Sequence, residues 1–242
     1  MRTRPARSLP SAGADPLSLA DLKPRLFRRP IMTIRLSILA GACALALTAC
    51  GAPSSTEAPV PAPASSIDAS ADWHLVSEES RLTFVSTKAD ELAEVHTFKT
   101  MTGSVTPEGA ATIEIALDSV DTAIELRDER MRAMLFETET HPTLTITSET
   151  ALDAFSEMEE GDRKRIEADI TVGLHGAENA YFADLFVTRV GADKVLVESA
   201  SPVLVHAADF ELDAGLEALR EVAALPSISP AVPVSVSFVF EQ

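Results

Sequence analysis

A two-residue alternation of apolar and polar side chains dominates the sequence from about residue 82 to its end. The alternation is clearest over residues 166–174 and 232–240, where apolar residues occupy every second position. Shorter runs of the same kind lie around Phe84 and over residues 113–117 and 144–146. Since successive side chains of a β-strand point to opposite faces, this pattern predicts antiparallel strands with one buried face and one solvated face.

Further strands are predicted over residues 181–190 and 194–201, which are joined by Gly191-Ala-Asp193. The plan is therefore about eight strands in a single domain spanning residues 72–242. A meandering sheet with one apolar face usually closes on itself, so we expect an all-β, extended eight-stranded antiparallel barrel. A barrel of eight strands either is filled by its own side chains or holds one small ligand, and the alternation alone leaves both open.

Two segments break the alternation and have helical spacing instead. Residues 120–136 contain Thr122-Ala-Ile-Glu125, a pattern typical of a capping box at the start of a helix. The apolar positions of this segment that share one helical face are Ile124, Met131 and Leu135. Residues 212–225 place apolar residues at helical intervals and are followed by Pro226. We therefore expect two helices inserted into the barrel.

A segment with the features of an export signal precedes this domain. Residues 32–35 are a short basic start, and residues 36–49 are an apolar run shorter than the roughly 20 residues of a bilayer-spanning helix. The run ends Leu47-Thr-Ala-Cys50, which resembles the lipobox of bacterial lipoproteins. This resemblance implies that Cys50 is acylated and anchors the protein stably. An ordinary cleaved signal with a chance cysteine is the alternative.

The boundaries that follow are a signal peptide over residues 1–49 and a lipidated Pro/Ala/Ser tether over residues 50–71. We expect translation to start at Met32, so that residues 1–31 are a mis-assigned N-terminal extension. The alternative is that they form a long cytoplasmic lead that is removed with the signal peptide. Gly51 follows the cysteine, whereas an Asp there would resemble the inner-membrane retention signal. We therefore expect the protein on the periplasmic face of the outer membrane.

Composition excludes several functions for the domain. The two cysteines of the chain are Cys43 and Cys50, so residues 72–242 offer no disulfide, thiolate nucleophile or cysteine ligand for a metal. The net charge is −17, and the export segment is basic, so the domain itself is strongly acidic. Because phosphate backbones repel such a surface, we expect no nucleic-acid partner.

Motifs for catalysis or metal binding are also missing. The five histidines are His74, His96, His141, His175 and His206. None of them has the H-E-x-x-H or H-x-H spacing of a zinc site, and the acidic pairs lack the spacing of an EF-hand. The sequence contains no G-x-S-x-G, P-loop or G-x-G-x-x-G motif. We therefore expect no enzyme activity, no cofactor and no metal site.

Several short motifs occur in a recognisable order. They are Trp73-His-Leu75, Leu82-Thr-Phe84, Phe98, Gly103-Ser-Val105, Ser119-Val-Asp-Thr122, Arg127-Asp128, Leu135-Phe136 and Pro142-Thr-Leu-Thr-Ile-Thr-Ser148. This order resembles the YceI-like family of exported proteins over residues 72–242, most strongly over residues 112–148. Two places depart from the family. His96 stands where the family often has Gly, and Gly173-Leu-His-Gly176 lacks the usual continuation.

The resemblance implies a lipocalin-like barrel that binds polyisoprenoids or other long-chain lipids in an apolar channel. The inward-facing apolar residues are then the candidates for lipid contact: Phe84, Ile113, Ile115, Leu144, Ile146, Ile170, Phe238 and Phe240. The scarcity of large aromatic residues that could plug the interior favours a channel. A filled barrel without a ligand, serving a structural or interaction role in the cell envelope, is the alternative.

Arg127-Asp128 is the strongest polar candidate in the domain. Both residues fall on the first predicted helix, which we expect to lie over one end of the barrel. They can contact a lipid headgroup at the barrel mouth, or they can form a buried pair that holds the helix to the barrel. The second interpretation is favoured, because two charged groups that are buried together must act as each other's ion-pair and hydrogen-bond partners.

Overall fold

The structure is a computed structural model that describes residues 70–89 and 91–242. The predicted signal peptide, Cys50 and nearly all of the tether lie outside the described residues. Within the described part, a single antiparallel sheet holds twelve strand segments. They are β1 (Trp73–Leu75), β2 (Arg81–Lys88), β3 (Leu92–Phe98), β4 (Met101–Val105), β5 (Ala110–Ala116), β6 (Val120–Asp121), β7 (Thr143–Glu149), β8 (Arg163–Leu174), β9 (Ala177–Arg189), β10 (Lys194–Ser199), β11 (Val203–His206) and β12 (Ala231–Glu241).

Eight of these segments form a closed ring in the order β1, β4, β5, β7, β8, β9, β10, β12. The last strand closes it, because Phe240 in β12 pairs with Val195 in β10 on one side and with Leu75 in β1 on the other. Each pairing around the ring is antiparallel. The prediction of an eight-stranded antiparallel barrel with two helices is therefore confirmed.

The four remaining segments continue ring strands past an interruption. Segment β2 follows β1 after the 3-10 turn Ser77–Glu79, and β6 follows β5 after the 3-10 turn Leu117–Ser119. Segment β3 runs into β4, and β11 follows β10 after a break at Pro202, which has no N–H for a sheet. The sequence predicted one strand over residues 194–201, whereas the structure divides this strand and extends it to His206.

Alternation along the strands decides which side chains face inward. In β8, Ile166, Ala168 and Ile170 are partly buried, whereas the residues between them are exposed to solvent. Inward side chains in a filled barrel would be closed off by their neighbours. The partial exposure of these three residues therefore shows that their neighbours do not close them off completely.

Two helical insertions lie at one end of the barrel, which we call the upper end. The first, between β6 and β7, contains α1 (Glu125–Arg130) and a π-helical turn (Met131–Leu135). The second, between β11 and β12, contains a 3-10 turn (Ala207–Phe210) and α2 (Asp213–Val222). The two insertions touch at Gly215, where a Cβ atom would lie 2.4 Å from the carbonyl oxygen of Met134. Only glycine permits this close approach, which brings the insertions together over the upper end.

The predicted start of the first helix is wrong. The helix begins at Glu125 without a side-chain cap, and Thr122 does not act as its N-cap. The backbone N–H of Thr122 instead donates to Oδ1 of Asp128 at 3.0 Å, and its hydroxyl donates to the same oxygen. Ile124 is 50 % exposed, so it does not share a buried face with Met131 and Leu135. The carboxylate of Asp128, which lies inside the helix, accepts both hydrogen bonds of Thr122. Ile124 lies outside the helix in extended backbone.

The lower end carries the β4–β5 and β9–β10 hairpins and the segment between β7 and β8, with its 3-10 turn Leu152–Phe155. Arg189 is buried there and donates hydrogen bonds to the backbone carbonyls of Met158, Gly191 and Ala192 at 2.5–3.0 Å. One guanidinium thus ties together two lower loops. Among the described residues, no helix has the length and apolar character needed to cross a membrane.

Candidate functional site

An apolar cavity of about 310 Å³ lies inside the barrel. Every strand of the ring contributes to its wall, from Trp73 in β1 to Phe240 in β12. The few polar contributors are Thr147, Ser148, Thr150, Ser199 and His206. The volume falls within the range of roughly 300–1,000 Å³ that is usual for small-molecule sites. The structure therefore has a ligand-sized space rather than the filled interior that the sequence also allowed.

Most of the predicted contact residues lie in the wall of this cavity. They are Phe84, Ile113, Leu144, Ile146, Ile170, Phe238 and Phe240. Ile115 does not line the cavity, and its exposure is 0 %. The alternation correctly turns Ile115 inward, but it is fully buried in the core, as are its strand neighbour Met101 and the nearby Leu117. The barrel is close-packed at that level, so the structure places Ile115 behind the cavity wall and not in it.

Sequence reasoning missed the residues that close the cavity at its two ends. The upper end is covered by Met131, Leu135 and Phe136 from the first insertion and by Phe210, Leu212 and Leu216 from the second. The lower end is lined by Trp73, Leu152 and Phe155. Most of these residues sit in turns and helices, where a two-residue period identifies no inward face. The motifs that resemble the family include Trp73, Leu135 and Phe136. The resemblance was therefore the signal in the sequence that could have identified these three residues.

Aromatic rings connect the barrel wall to the first insertion. The ring centroids of Phe84 and Phe98 lie 5.4 Å apart, and those of Phe98 and Phe136 lie 5.9 Å apart. The imidazole of His96 lies 5.3 Å from the ring of Phe84 and shares a hydrogen bond of 2.8 Å with the hydroxyl of Ser86. Burial lowers the pKa of His96, which favours the neutral imidazole. A neutral ring is compatible with the apolar wall beside it.

The barrel wall between β7 and β8 is joined by backbone pairing over only part of its height. The β7–β8 ladder covers only Thr145–Ser148 opposite Ile170–Gly173, whereas the β8–β9 ladder runs along the full length of β8. The lower half of β8 therefore has no strand partner on its β7 side in the described structure. Leu152 and Phe155 contribute to the cavity wall in this region. Side chains of the segment between β7 and β8 thus contribute to the cavity wall on the side where the lower half of β8 has no backbone partner.

Arg127 and Asp128 do not form the pair that was expected. Arg127 donates to Oε2 of Glu94 at 2.8 Å and to the carbonyl oxygen of Thr122 at 2.6 Å. Asp128 accepts its hydrogen bonds from Thr122, as described above. Consecutive helical residues point in different directions, so each finds its own partner. Hydrogen bonds from Lys88 and Arg127 lower the pKa of Glu94. These three side chains form an ion-pair network at the upper end of the barrel, beside the hairpin of β2 and β3.

Two other clusters of polar side chains lie outside the cavity wall. Tyr181 donates its hydroxyl to Oδ2 of Asp209 at 2.7 Å, and desolvation together with this bond raises the pKa of Tyr181. This bond fastens β9 to the second insertion. Among the described residues, the one group with the geometry of metal ligands is Glu137, His141 and His175, at the upper end.

The sequence profile of the YceI-like domain matches residues 73–240. The chain belongs to the YceI-like family. No curated protein matches the sequence significantly. The match covers the whole barrel, including both helical insertions.

Solved structures agree with this assignment. A polyisoprenoid binding domain from Saccharophagus degradans, implicated in plant cell wall breakdown, is 36 % identical, with a TM-score of 0.69. That comparison covers 70 % of this chain and 98 % of the Saccharophagus chain. BcnA from Burkholderia cenocepacia is 14 % identical with a TM-score of 0.53, covering 68 % of this chain and 98 % of BcnA. The second comparison shows a common fold alone.

Proposed function

We propose that this chain binds a long-chain lipid, such as a polyisoprenoid, non-covalently in the barrel cavity. The observation that carries the proposal is the cavity itself, whose wall is apolar over nearly its whole extent. A polar ligand placed there would lose its hydrogen bonds to water without replacement. An apolar chain gains about 0.8 kcal/mol for each methylene that it buries.

The relative from Saccharophagus degradans supports the same ligand class, because that domain is described as binding polyisoprenoids and shares 36 % of its sequence with this chain. A branched isoprenoid chain is also compatible with a wall made largely of Val, Leu, Ile and Phe. Binding by such a wall depends on the length of the buried chain and not on a particular headgroup. The proposal therefore concerns a class of lipid.

A series of polyprenols of increasing length tests this proposal. Purified protein is first stripped of lipid, and its melting temperature is then measured with each polyprenol. Because ligand binding to the folded state stabilises it, the melting temperature should rise with chain length and level off when the cavity is full. Short alcohols of the same headgroup are the control. No rise with any polyprenol would contradict the proposal.

We also propose that Cys50 carries the acyl anchor and that the protein faces the periplasm from the outer membrane. The support is the apolar run that ends in Leu47-Thr-Ala-Cys50, followed by Gly51. The Cys50→Ser variant should remain unprocessed and unacylated. Processing to the same size, with continued partition into membranes, would refute the anchor. Recovery of wild-type protein from inner-membrane fractions of a density gradient would refute the location.

A further inference from the structure

Three side chains with metal-ligating atoms meet at the upper end of the barrel. Oε2 of Glu137 lies 3.2 Å from Nε2 of His175, and the imidazole centroids of His141 and His175 are 4.4 Å apart. One ligand atom from each residue lies within 4.8 Å of the other two. Two nitrogens and one carboxylate oxygen therefore surround a common point.

The separation between the ligand atoms of Glu137 and His175 suits a tetrahedral ion. Two donors at about 2.0–2.1 Å from zinc, at the tetrahedral angle, are separated by about 3.3–3.4 Å. The observed 3.2 Å between Glu137 and His175 is close to that value. The ligand atom of His141 lies within 4.8 Å of the other two and has to come to about 3.3–3.4 Å from them to complete the set. Two histidines and a glutamate, with a fourth position left to water, are a known zinc ligand combination.

The backbone holds all three residues in place. The N–H groups of Thr140 and His141 donate to the carbonyl oxygen of Glu137 at 2.8 and 2.9 Å, which forms one helical turn. That turn brings residues 137 and 141 close together, with Glu137 itself in the left-handed region at a φ of +48°. The two ligands from the first insertion are thus presented together towards the β8–β9 hairpin.

The third ligand comes from the hairpin turn between β8 and β9. His175 and Gly176 have φ angles of +54° and +83°, as in a two-residue type I′ turn. Asn-Gly is the favoured sequence there, and histidine is also one of the non-glycine residues that are enriched in the left-handed region. A Cβ atom at residue 176 would lie 3.2 Å from Cε1 of His141, so the glycine also makes room for the second imidazole.

The burial of His175 is incompletely satisfied by the protein. Its side chain is 15 % exposed, and its Nδ1 atom is buried without a hydrogen-bond partner among the described residues. Its Nε2 atom faces the carboxylate of Glu137, which is 57 % exposed. An ion bound at Nε2 would take the place of the hydrogen bond to Glu137 and would leave Nδ1 without a partner among the described residues.

We propose that Glu137, His141 and His175 bind a zinc ion at the upper end of the barrel. Imidazole nitrogens favour zinc and related transition metals, whereas calcium and magnesium require oxygen ligands. Glu137 follows Phe136, and His175 follows Leu174, and both preceding residues line the cavity. The ion therefore ties the first insertion to the β8–β9 hairpin beside the cavity. The site does not depend on which ligand the cavity holds.

Zinc titration of the full chain tests this proposal. The protein is treated with a chelator and then titrated with zinc against a chromophoric competitor, and it should bind one equivalent. Cobalt(II) in place of zinc should give the intense visible absorption of tetrahedral coordination. Since losing an outer-shell partner costs about 10–100-fold in metal affinity, losing a direct ligand should weaken binding by more than about 100-fold.

The variants for this test are His141→Ala, Glu137→Gln and His175→Asn. The last keeps the turn, because asparagine is favoured at that position of a type I′ turn, so a folding defect does not explain its loss of zinc. The matched control is His74→Ala, which removes an exposed histidine from β1 at the other end of the barrel. All titrations use the Cys43→Ser, Cys50→Ser background, because thiolates would compete for zinc.

Loss of zinc in the three site variants, with unchanged binding in His74→Ala, supports the site. Zinc affinity that is the same in His141→Ala and His175→Asn as in the parent protein would overturn it. Absence of binding in the parent protein, or calcium binding of equal strength, would overturn it as well.

Discussion

Enlarging a side chain that lines the cavity is a test that distinguishes an open barrel from a packed one. Ala168 in β8 lies opposite Ala183 in β9, and both line the cavity. Two small side chains facing inward on neighbouring strands leave space that a ligand chain can use. Replacing Ala168 by Phe directs a large apolar ring into that space.

The structure predicts the sign of the effect on stability. Burying a phenylalanine side chain in an open cavity contributes about 1.5–3 kcal/mol, whereas forcing extra atoms into a packed core costs about 1–3 kcal/mol. For a domain of this size, 1 kcal/mol shifts the melting temperature by about 2–4 °C. Lipid-free Ala168→Phe should therefore melt above lipid-free wild type by several degrees. Lipid should stabilise the variant much less, because the ring occupies the binding space.

Thermal unfolding with and without a saturating polyprenol measures both effects. The matched control is Thr171→Phe, which introduces the same residue on the same strand with its side chain facing solvent. The control should keep the full lipid-dependent rise in melting temperature. If lipid-free Ala168→Phe melts several degrees below wild type, the interior is packed and the cavity argument fails.

Three further predictions follow from individual contacts. Ile170→Asn should reduce the lipid-dependent rise in melting temperature far more than Thr171→Asn, because an unsatisfied amide in the wall costs about 1–3 kcal/mol; equal losses would show that Ile170 does not contact lipid. Asp128→Ala should lower the free energy of unfolding in urea by about 2–4 kcal/mol, since it removes both hydrogen bonds to Thr122, and an unchanged midpoint would refute this. Because burial holds the folded-state pKa of His96 below the usual 6.5, the unfolded chain takes up the proton first, and wild type should lose stability as pH falls below about 6.5. The His96→Gln variant should lose less over that range, and identical pH profiles would contradict the reasoning.

Alternation identified the barrel strands because it reports directly on which side chains are buried. In β8 and β12, every second residue faces inward, and the positions of Ile170 and Phe238 could be predicted from the sequence. The interruptions could not be predicted in the same way. The break between β10 and β11 leaves the apolar pattern nearly intact, and only Pro202 marks it.

The two-residue period of a strand shows which side chains face inward. It does not show whether an inward side chain meets open space or close packing. Ile113 and Ile115 are equivalent in sequence, two residues apart on β5, yet the first lines the cavity and the second is completely buried. What distinguishes them is contact with residues distant in sequence, such as Met101 on the neighbouring strand. The same limit applies to His175, which no sequence spacing brings to Glu137 and His141.

The first helix shows how local chemistry can be misassigned. Thr122 and Glu125 have the spacing of a capping box, but Asp128 competes for Thr122 from one turn further along. Arg127 then pairs with Glu94 on β3, a residue 33 positions away in sequence. A sequence pattern lists possible partners, and the fold selects among them.

Native mass spectrometry of the purified protein after incubation with a polyprenol tests the central claim most directly. We expect one polyprenol per chain, retained without a covalent bond and removed by organic extraction. The Ala168→Phe variant should retain little or none, and Thr171→Phe should retain it as wild type does. A wild-type spectrum that contains only the unliganded mass, under conditions that keep the fold intact, would contradict lipid binding in the barrel.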